Sequence, residues 1–206
     1  MVHTLRRIIS SLGYNEETYM QALNDSVIVS ADNAHSVHPN HPELSDPTNK
    51  VFMNKGVVIK RNANERYTTD AISEAVIINA CEKAGVPYQY YTNRSNQRGG
   101  GTLGAISSSK VSVTSVDIGL AQLAMHSSRE LIGSDDLFYL YNAFKKLGEY
   151  YGLGNLFLII YACANTIAQI SALVFSYSSS KSTSDNKRLI ASAPEPNSAP
   201  VYFEIK

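Results

Sequence analysis

The stretch Ser26-Val-Ile-Val-Ser-Ala-Asp-Asn-Ala-His-Ser-Val-His-Pro-Asn40 decides how this chain is read. Its first half, Ser26-Val-Ile-Val29, is a β-branched run of the kind that fills a buried strand, continuing to residue 31. Asp32 then stands at the strand's carboxyl end, with His35, His38 and His41 just beyond it. In open α/β sheets that edge is where ligands bind. A carboxylate and an imidazole there can begin a metal or acid/base site. The same residues also carry turn chemistry: Asp-Asn-Ala-His and His-Pro-Asn-His-Pro each suit a loop with no further role. The residues alone leave both readings open.

Working outward, the surrounding elements alternate. Leu5, Ile8, Ile9 and Leu12 recur at helical spacing over 2–12, with Gly13 at the expected stop. Residues 14–25 read as a polar connection. Residues 39–55 carry Pro39, Pro42 and Pro47 and read as a long loop, a segment type that is often functional. Val57-Val-Ile-Lys60 is a second short strand, and a lysine beside a site can bind a carboxylate as a point charge. Asp70 caps an expected helix over 71–84, with Ile72, Val76 and Ala80 on one face and Gly85 and Pro87 to end it. Tyr88–Tyr91 and 111–118 read as strands. Arg98-Gly-Gly-Gly-Thr-Leu-Gly104 lacks both the Walker lysine and the dinucleotide glycine spacing, so a tight turn or close approach to a ligand is the better reading. Ser134 caps a helix over 135–150 with Leu137, Tyr141, Phe144 and Leu147 inward. The pattern predicts an α/β fold with a mixed, mostly parallel sheet flanked by helices.

Composition narrows the class. The chain has 206 residues, 44% hydrophobic and 17% charged, enough for one domain with a real core. Its formal net charge is zero, which argues against a nucleic-acid partner held through phosphates. Cys81 and Cys163 make neither a CxxC pair nor a disulfide framework. The amino terminus has no apolar signal-peptide core, and the expected location is cytoplasmic. Residues 151–206 differ from the rest. The sequence predicts an apolar helix there, and 153–175 is long enough to span a bilayer, although Asn155, Asn165, Thr166 and Gln169 weaken that reading. Whether it meets a membrane stays open. Residues 176–200 read as a disordered linker.

Taken together, Ser30-Ala-Asp-Asn-Ala-His-Ser-Val-His-Pro-Asn-His-Pro, Val58-Ile-Lys60, Arg66-Tyr67, Gly-Gly-Thr-Leu-Gly104, Val116-Asp-Ile-Gly and Leu123-Ala-Met-His-Ser127 occur in one order. In that combination the chain resembles the carboxyl-terminal half of the aspartyl aminopeptidases, dinuclear zinc exopeptidases of clan MH type, from about Leu5 to Tyr150. The resemblance implies an enzyme that removes amino-terminal, preferentially acidic, residues from peptides. It implies two Zn²⁺ per complete site, with Mn²⁺ or Co²⁺ as alternatives. It aligns Asp32 and His126 with metal ligands, and His35, Lys60 and Tyr67 with substrate contacts, Lys60 being suited to an acidic side chain. It places a bridging Asp, the general-base Glu with a neighbouring Glu, and a further His upstream of the matched part; Glu16-Glu17 is no substitute. The expectation is therefore a truncated copy, 1–150, inactive alone, with a tail at 151–206 that has no family counterpart. Homo-oligomers are expected of the full-length family, and a missing amino-terminal half is an expected partner. The alternative is a non-catalytic binding or assembly module, tethered to a membrane through 153–175.

Overall fold

The computed structural model describes residues 2–151 and 158–162. Its centre is a five-stranded sheet in the order β4 (Tyr88–Tyr91), β3 (Val57–Lys60), β5 (Thr114–Gly119), β1 (Val27–Ala31), β8 (Leu158–Ala162). β1 runs parallel to β5 and β8, β3 parallel to β4, and β3 antiparallel to β5. The sheet is mixed and mostly parallel, as the alternating pattern predicts.

The strands split their side chains by parity, since successive residues point to opposite faces. Val27, Val29 and Ala31 of β1, Val57 and Ile59 of β3, and Val116 and Ile118 of β5 share one face. Helices α3 (Ala71–Ala84) and α5 (Ser134–Tyr151) cover that face with Ile77, Ala80, Cys81, Leu140, Ala143 and Leu147. Burial of each large side chain contributes roughly 1.5–3 kcal/mol. The opposite parity carries Ser30, Lys60 and Asp117, all buried. Ser30 is the register partner of Asp117, and Lys60 follows the Ile59–Ile118 pair. Polar residues from three adjacent strands therefore meet on one face.

Beyond the main sheet, β1 and β5 continue in step. β2 (Ala34–His35), β6 (Ala121–Leu123) and β7 (Leu131–Ile132) form a second sheet, with β2 parallel to β6. The ladder runs from Asp32 N–H to Ile118 O at 2.9 Å, through Ala34 N–H to Leu120 O at 2.8 Å, to Ser36 N–H to Gln122 O at 2.8 Å. Between the sheets, Asn33 substitutes its side chain for backbone: its Oδ1 accepts from Leu120 N–H at 3.2 Å and its Nδ2 donates to Gln122 Oε1 at 2.5 Å. Gly119 has to be glycine at this step, because a Cβ would lie 2.0 Å from Asp32 O.

Several expectations need correction. The connection at 14–25 contains α2 (Glu16–Asn24), capped by Asn15 and packed through Tyr19 and Leu23 against Leu5 and Ile9 of α1 (Val2–Ser11). Its single apolar stripe is too thin to announce a helix. The glycine-rich loop runs into α4 (Leu103–Ser108), and β5 begins at Thr114 rather than 111. In α3, Ala80 is buried and Val76 packs on the core as expected, but Ile72 is 71% exposed, and Ser73, Ile77 and Cys81 are buried in addition. In α5 the expected Leu147 is buried and Leu137 and Phe144 pack partly buried against the core, while Asp136, Leu140 and Ala143 are buried in addition and Tyr141 is only half-buried. Leu158–Ala162 is a strand where the sequence suggested helix. Its β-branched Ile159 and Ile160 suit a ladder, and β1 offers an edge to pair with. No helix among the described residues is long and apolar enough to cross a membrane. The remainder of 153–175 and the expected linker at 176–200 lie outside the described residues.

Candidate functional site

Asp32 leaves the ladder at the end of β1 and projects over the polar face of the sheet. There its Oδ2 accepts from Lys60 Nζ at 3.1 Å. The two ends of this ion pair differ in environment: the Lys60 side chain is 3% exposed and that of Asp32 33%. A buried ammonium is costly unless paired. The parity of β3 puts Lys60 under the cavity floor, and Asp32 compensates it from the open side. Lys60 Nζ also lies 5.2 Å from the centre of the Tyr67 ring, a cation–π contact. Tyr67 is buried, and its hydroxyl donates to Asn93 Oδ1 at 3.3 Å. Burial, then Tyr91, Asp32 and Asp117, push its phenol well above the usual range, so it stays protonated.

His35 and His126 approach from the second sheet. His35 has free surface, but that surface faces into the cavity, where the walls desolvate it. Burial first, then Lys60 and His126, hold its imidazole below the usual value, against the pull of Asp32. His126 follows β6 on a turn whose backbone is unusual. Ala124 and His126 have φ of 56° and 67°, the left-handed region that non-glycine residues avoid. The turn is fixed by His126 N–H donating to Glu130 Oε1 at 2.7 Å and Ser127 N–H to Ala124 O at 3.0 Å. Strain held in this way commonly marks a side chain aimed for use.

All five residues singled out from the sequence, Asp32, His35, Lys60, Tyr67 and His126, line one cavity of about 1150 Å³. They come from β1, β2, β3, the 61–70 segment and the turn after β6. The long 39–55 loop supplies a further wall, where the His38 and His41 rings lie 5.4 Å apart. The glycine-rich loop supplies another. Its glycines serve close packing: a Cβ at Gly99 would lie 2.6 Å from Asn93 Oδ1, and one at Gly104 2.8 Å from both Asp117 oxygens. Neither Ser30, which lines the cavity, nor Asp117, buried behind it, was singled out. Strand parity in Val-Ser-Ala and Val-Asp-Ile could have revealed them. Asp117 Oδ2 accepts from Thr68 N–H at 2.7 Å and Thr68 Oγ1 at 3.0 Å, anchoring the residue after Tyr67. Ser30 Oγ accepts from Gly104 N–H at 3.1 Å. Cys81 lies on the far face, its thiol pushed up to about 12 by burial, and takes no part.

As a donor set, Asp32 and His126 offer a hard oxygen and a neutral nitrogen, which suit zinc. Among the described residues no group of three or more His, Cys, Asp or Glu could enclose a metal. A protein zinc site uses three or four ligands. The described residues therefore fit part of such a site.

A mixed α/β sheet with a carboxylate at a strand's carboxyl end, opening on a polar cavity, defines an α/β protein of the ligand-binding class. Comparison with known proteins makes this specific. Residues 1–147 match the family model described as aminopeptidase I zinc metalloprotease (M18). The chain belongs to that family. It is 48% identical over 153 residues to a probable M18 family aminopeptidase 2 of Clostridium novyi, covering 74% of this chain and 35% of that one. The cryo-EM structure of the Ape4 and Nbr1 complex superposes with a TM-score of 0.68 at 34% identity, over 71% of this chain and 28% of that one. The Saccharomyces cerevisiae mApe1 dodecamer superposes with a TM-score of 0.57 at 27% identity, over 64% and 28%. The chain thus spans about a third of the length of the curated relatives it matches.

Proposed function

We propose that this chain forms one wall of the active site of a metallo-aminopeptidase that removes amino-terminal residues, preferentially acidic ones, from peptides. The observation that carries the reading is convergence: side chains from five separate segments, which the aspartyl aminopeptidase resemblance assigns to metal and substrate, line a single cavity. Asp32 and His126 would hold zinc, two ions in the complete site, with ligands and a general-base Glu supplied from outside the described residues. A bound zinc pair would supply an activated water and charge for the oxyanion of peptide hydrolysis.

The chain's own residues do the following work. Lys60 presents a fixed ammonium beside Asp32, a point charge suited to draw an acidic substrate side chain. Tyr67 lies over that ammonium and stays neutral, giving the floor an apolar edge and a donor. His35, held uncharged near neutral pH, can accept a proton or hydrogen bond from the substrate's amino end. The dodecameric relative supports a homo-oligomer, and the missing portion of the relatives' length supports a second polypeptide or segment as partner. A cytoplasmic location fits the same reading.

The test is metal content and hydrolysis side by side. The pure chain should hydrolyse aspartyl or glutamyl anilides slowly or not at all, and His126→Ala should lower zinc binding by about tenfold or more. Robust, chelator-sensitive hydrolysis by the pure chain would overturn the incomplete donor set. Unchanged zinc binding in the variant would remove His126 from the ligands. The incomplete set also supports a second reading, a non-catalytic binding module; peptide binding with no hydrolysis after the missing ligands are supplied would favour it.

A further inference from the structure

The cavity holds more cations than the aminopeptidase reading uses. Lys60, Arg66, Arg94 and Arg98 line it, against the carboxylates of Asp32 and Asp46. Lys60 is taken by Asp32. Arg94 donates to Glu43 O, and its charge also lies near Glu43 and Asp46. Arg66 and Arg98 are different. Arg66 donates to a backbone carbonyl, Gly99 O, at 3.1 Å, which leaves its charge uncompensated. Among the described residues no carboxylate pairs with Arg66 or Arg98. In a chain of zero net charge, the surplus positive charge gathers at the glycine-loop end of one cavity.

That end is built. Arg66 adjoins Tyr67 in sequence, and its bond to Gly99 O ties it to the residue that follows Arg98. Gly99 packs on the Asn93 amide so closely that a Cβ would lie 2.6 Å from Oδ1. The same amide accepts from Tyr67 and donates to Tyr91 OH at 3.0 Å. Arg66 is thus indexed to Tyr67 through one asparagine, and Arg98, exposed like Arg66, lines the same cavity. A cavity of about 1150 Å³ also exceeds what one amino-terminal residue fills.

We propose that Arg66 and Arg98 form a second anion-binding subsite, which takes a carboxylate carboxyl-terminal to the first residue of the bound peptide. That carboxylate is either an acidic side chain or the free terminus of a short peptide. Guanidinium suits it, because its planar fork can grip both oxygens. The proposal rests on the peptide-binding reading of the cavity, and its test separates the two.

The experiment is an NMR titration of the full chain, in metal-free buffer at low salt, with four peptides: Asp-Ala-Ala-Ala amide, Asp-Ala-Glu-Ala amide, Asp-Ala-Ala-Ala free acid, and the acetylated form of the second. The glutamyl peptide or the free acid should bind about fivefold tighter than the neutral amide. A gain for only one of them names the source of the carboxylate. The gain should disappear in Arg98→Ala and in Arg66→Ala, persist in part in Arg98→Lys, be untouched by Arg7→Ala on α1, and shrink in 0.5 M salt on the order of the screening expected there. Equal binding of neutral and acidic peptides overturns the subsite, as does a preference that survives loss of both arginines or the absence of any binding. The acetylated peptide reports on the parent reading. If it binds as well as the free amine, the aminopeptidase reading fails while the anion subsite stands.

Discussion

Two carboxylates meet opposite ends of β3, Asp136 at Gly56 and Asp32 at Lys60, and their surroundings differ in kind. Asp136, in the first turn of α5, is fully buried. It accepts backbone N–H groups of Asn54 at 2.7 Å and Gly56 at 2.8 Å, while Asp135 N–H returns a bond to Asn54 Oδ1 at 3.0 Å. Asp32 is a third exposed and faces a buried ammonium across a cavity. The first is sealed by main chain and closes an architectural joint between α5 and the loop entering β3. The second is held by a side chain and keeps an open side. The lesson is that a carboxylate's partners say more about its use than its burial does. Backbone donors on all sides leave nothing for a ligand, whereas a single charged partner leaves room for one.

The comparison breaks most readily at the joint. Asp136→Ala leaves the buried Gly56 N–H and the partly buried Asn54 N–H unpaired and should cost about 3 kcal/mol in denaturant unfolding. A loss below about 1 kcal/mol would mean water satisfies them and the joint is not sealed. Burial also raises the Asp136 carboxyl to about 6. A folded-state value above the unfolded one means the native state binds the proton first. This group's contribution is therefore largest below the unfolded value, near 4, and is lost as pH rises through about 6. Asp136→Asn should flatten that slope between pH 4 and 7; an unchanged slope would place the titration elsewhere.

At the cavity the expected effect is smaller. Asp32→Ala removes the carboxylate that pairs with Lys60 across the cavity, and about 2 kcal/mol of stability should go with it. Lys60→Met in the same background should recover much of the loss, because the buried charge is gone. A double-mutant cycle with no coupling would show that the pair does not hold the cavity floor. The smallest effect is expected of Gly104→Ala. The added methyl would press on both Asp117 oxygens and Ser30, at a cost of about 1 kcal/mol by thermal unfolding. A neutral result would mean the loop yields.

What the sequence made legible follows punctuation and period. α3 and β4 begin and end where Asp70, Gly85 and Pro87 say they should. α4 hides behind three glycines, and α2 carries too few apolar residues to show. The wider buried faces of α3 and α5 reflect a limit of helical patterns in a buried setting: α3 is apolar nearly all round, so its period does not choose a face, and only contact with the sheet does. At the site, Asp32 and His35 were visible as neighbours. Lys60, Tyr67 and His126 were not brought to them by any local rule. They entered through the family resemblance, because no local pattern encodes the register that joins β1, β3 and β5. Ser30 and Asp117 were within reach of the parity rule, yet β-branched neighbours make each strand read as continuously apolar.

The paired course of β1 and β5 through both sheets has one more consequence. Asp32 and His35 are bracketed by hydrogen bonds from Asp32 N–H, Ala34 N–H and Ser36 N–H to fixed carbonyls on the companion strand. The interval between carboxylate and imidazole is therefore a ruled length. One residue more or fewer between them would carry His35 to the opposite side of the second sheet or tear the rungs that follow. Along this stretch, substitution is open to evolution in a way that insertion and deletion are not.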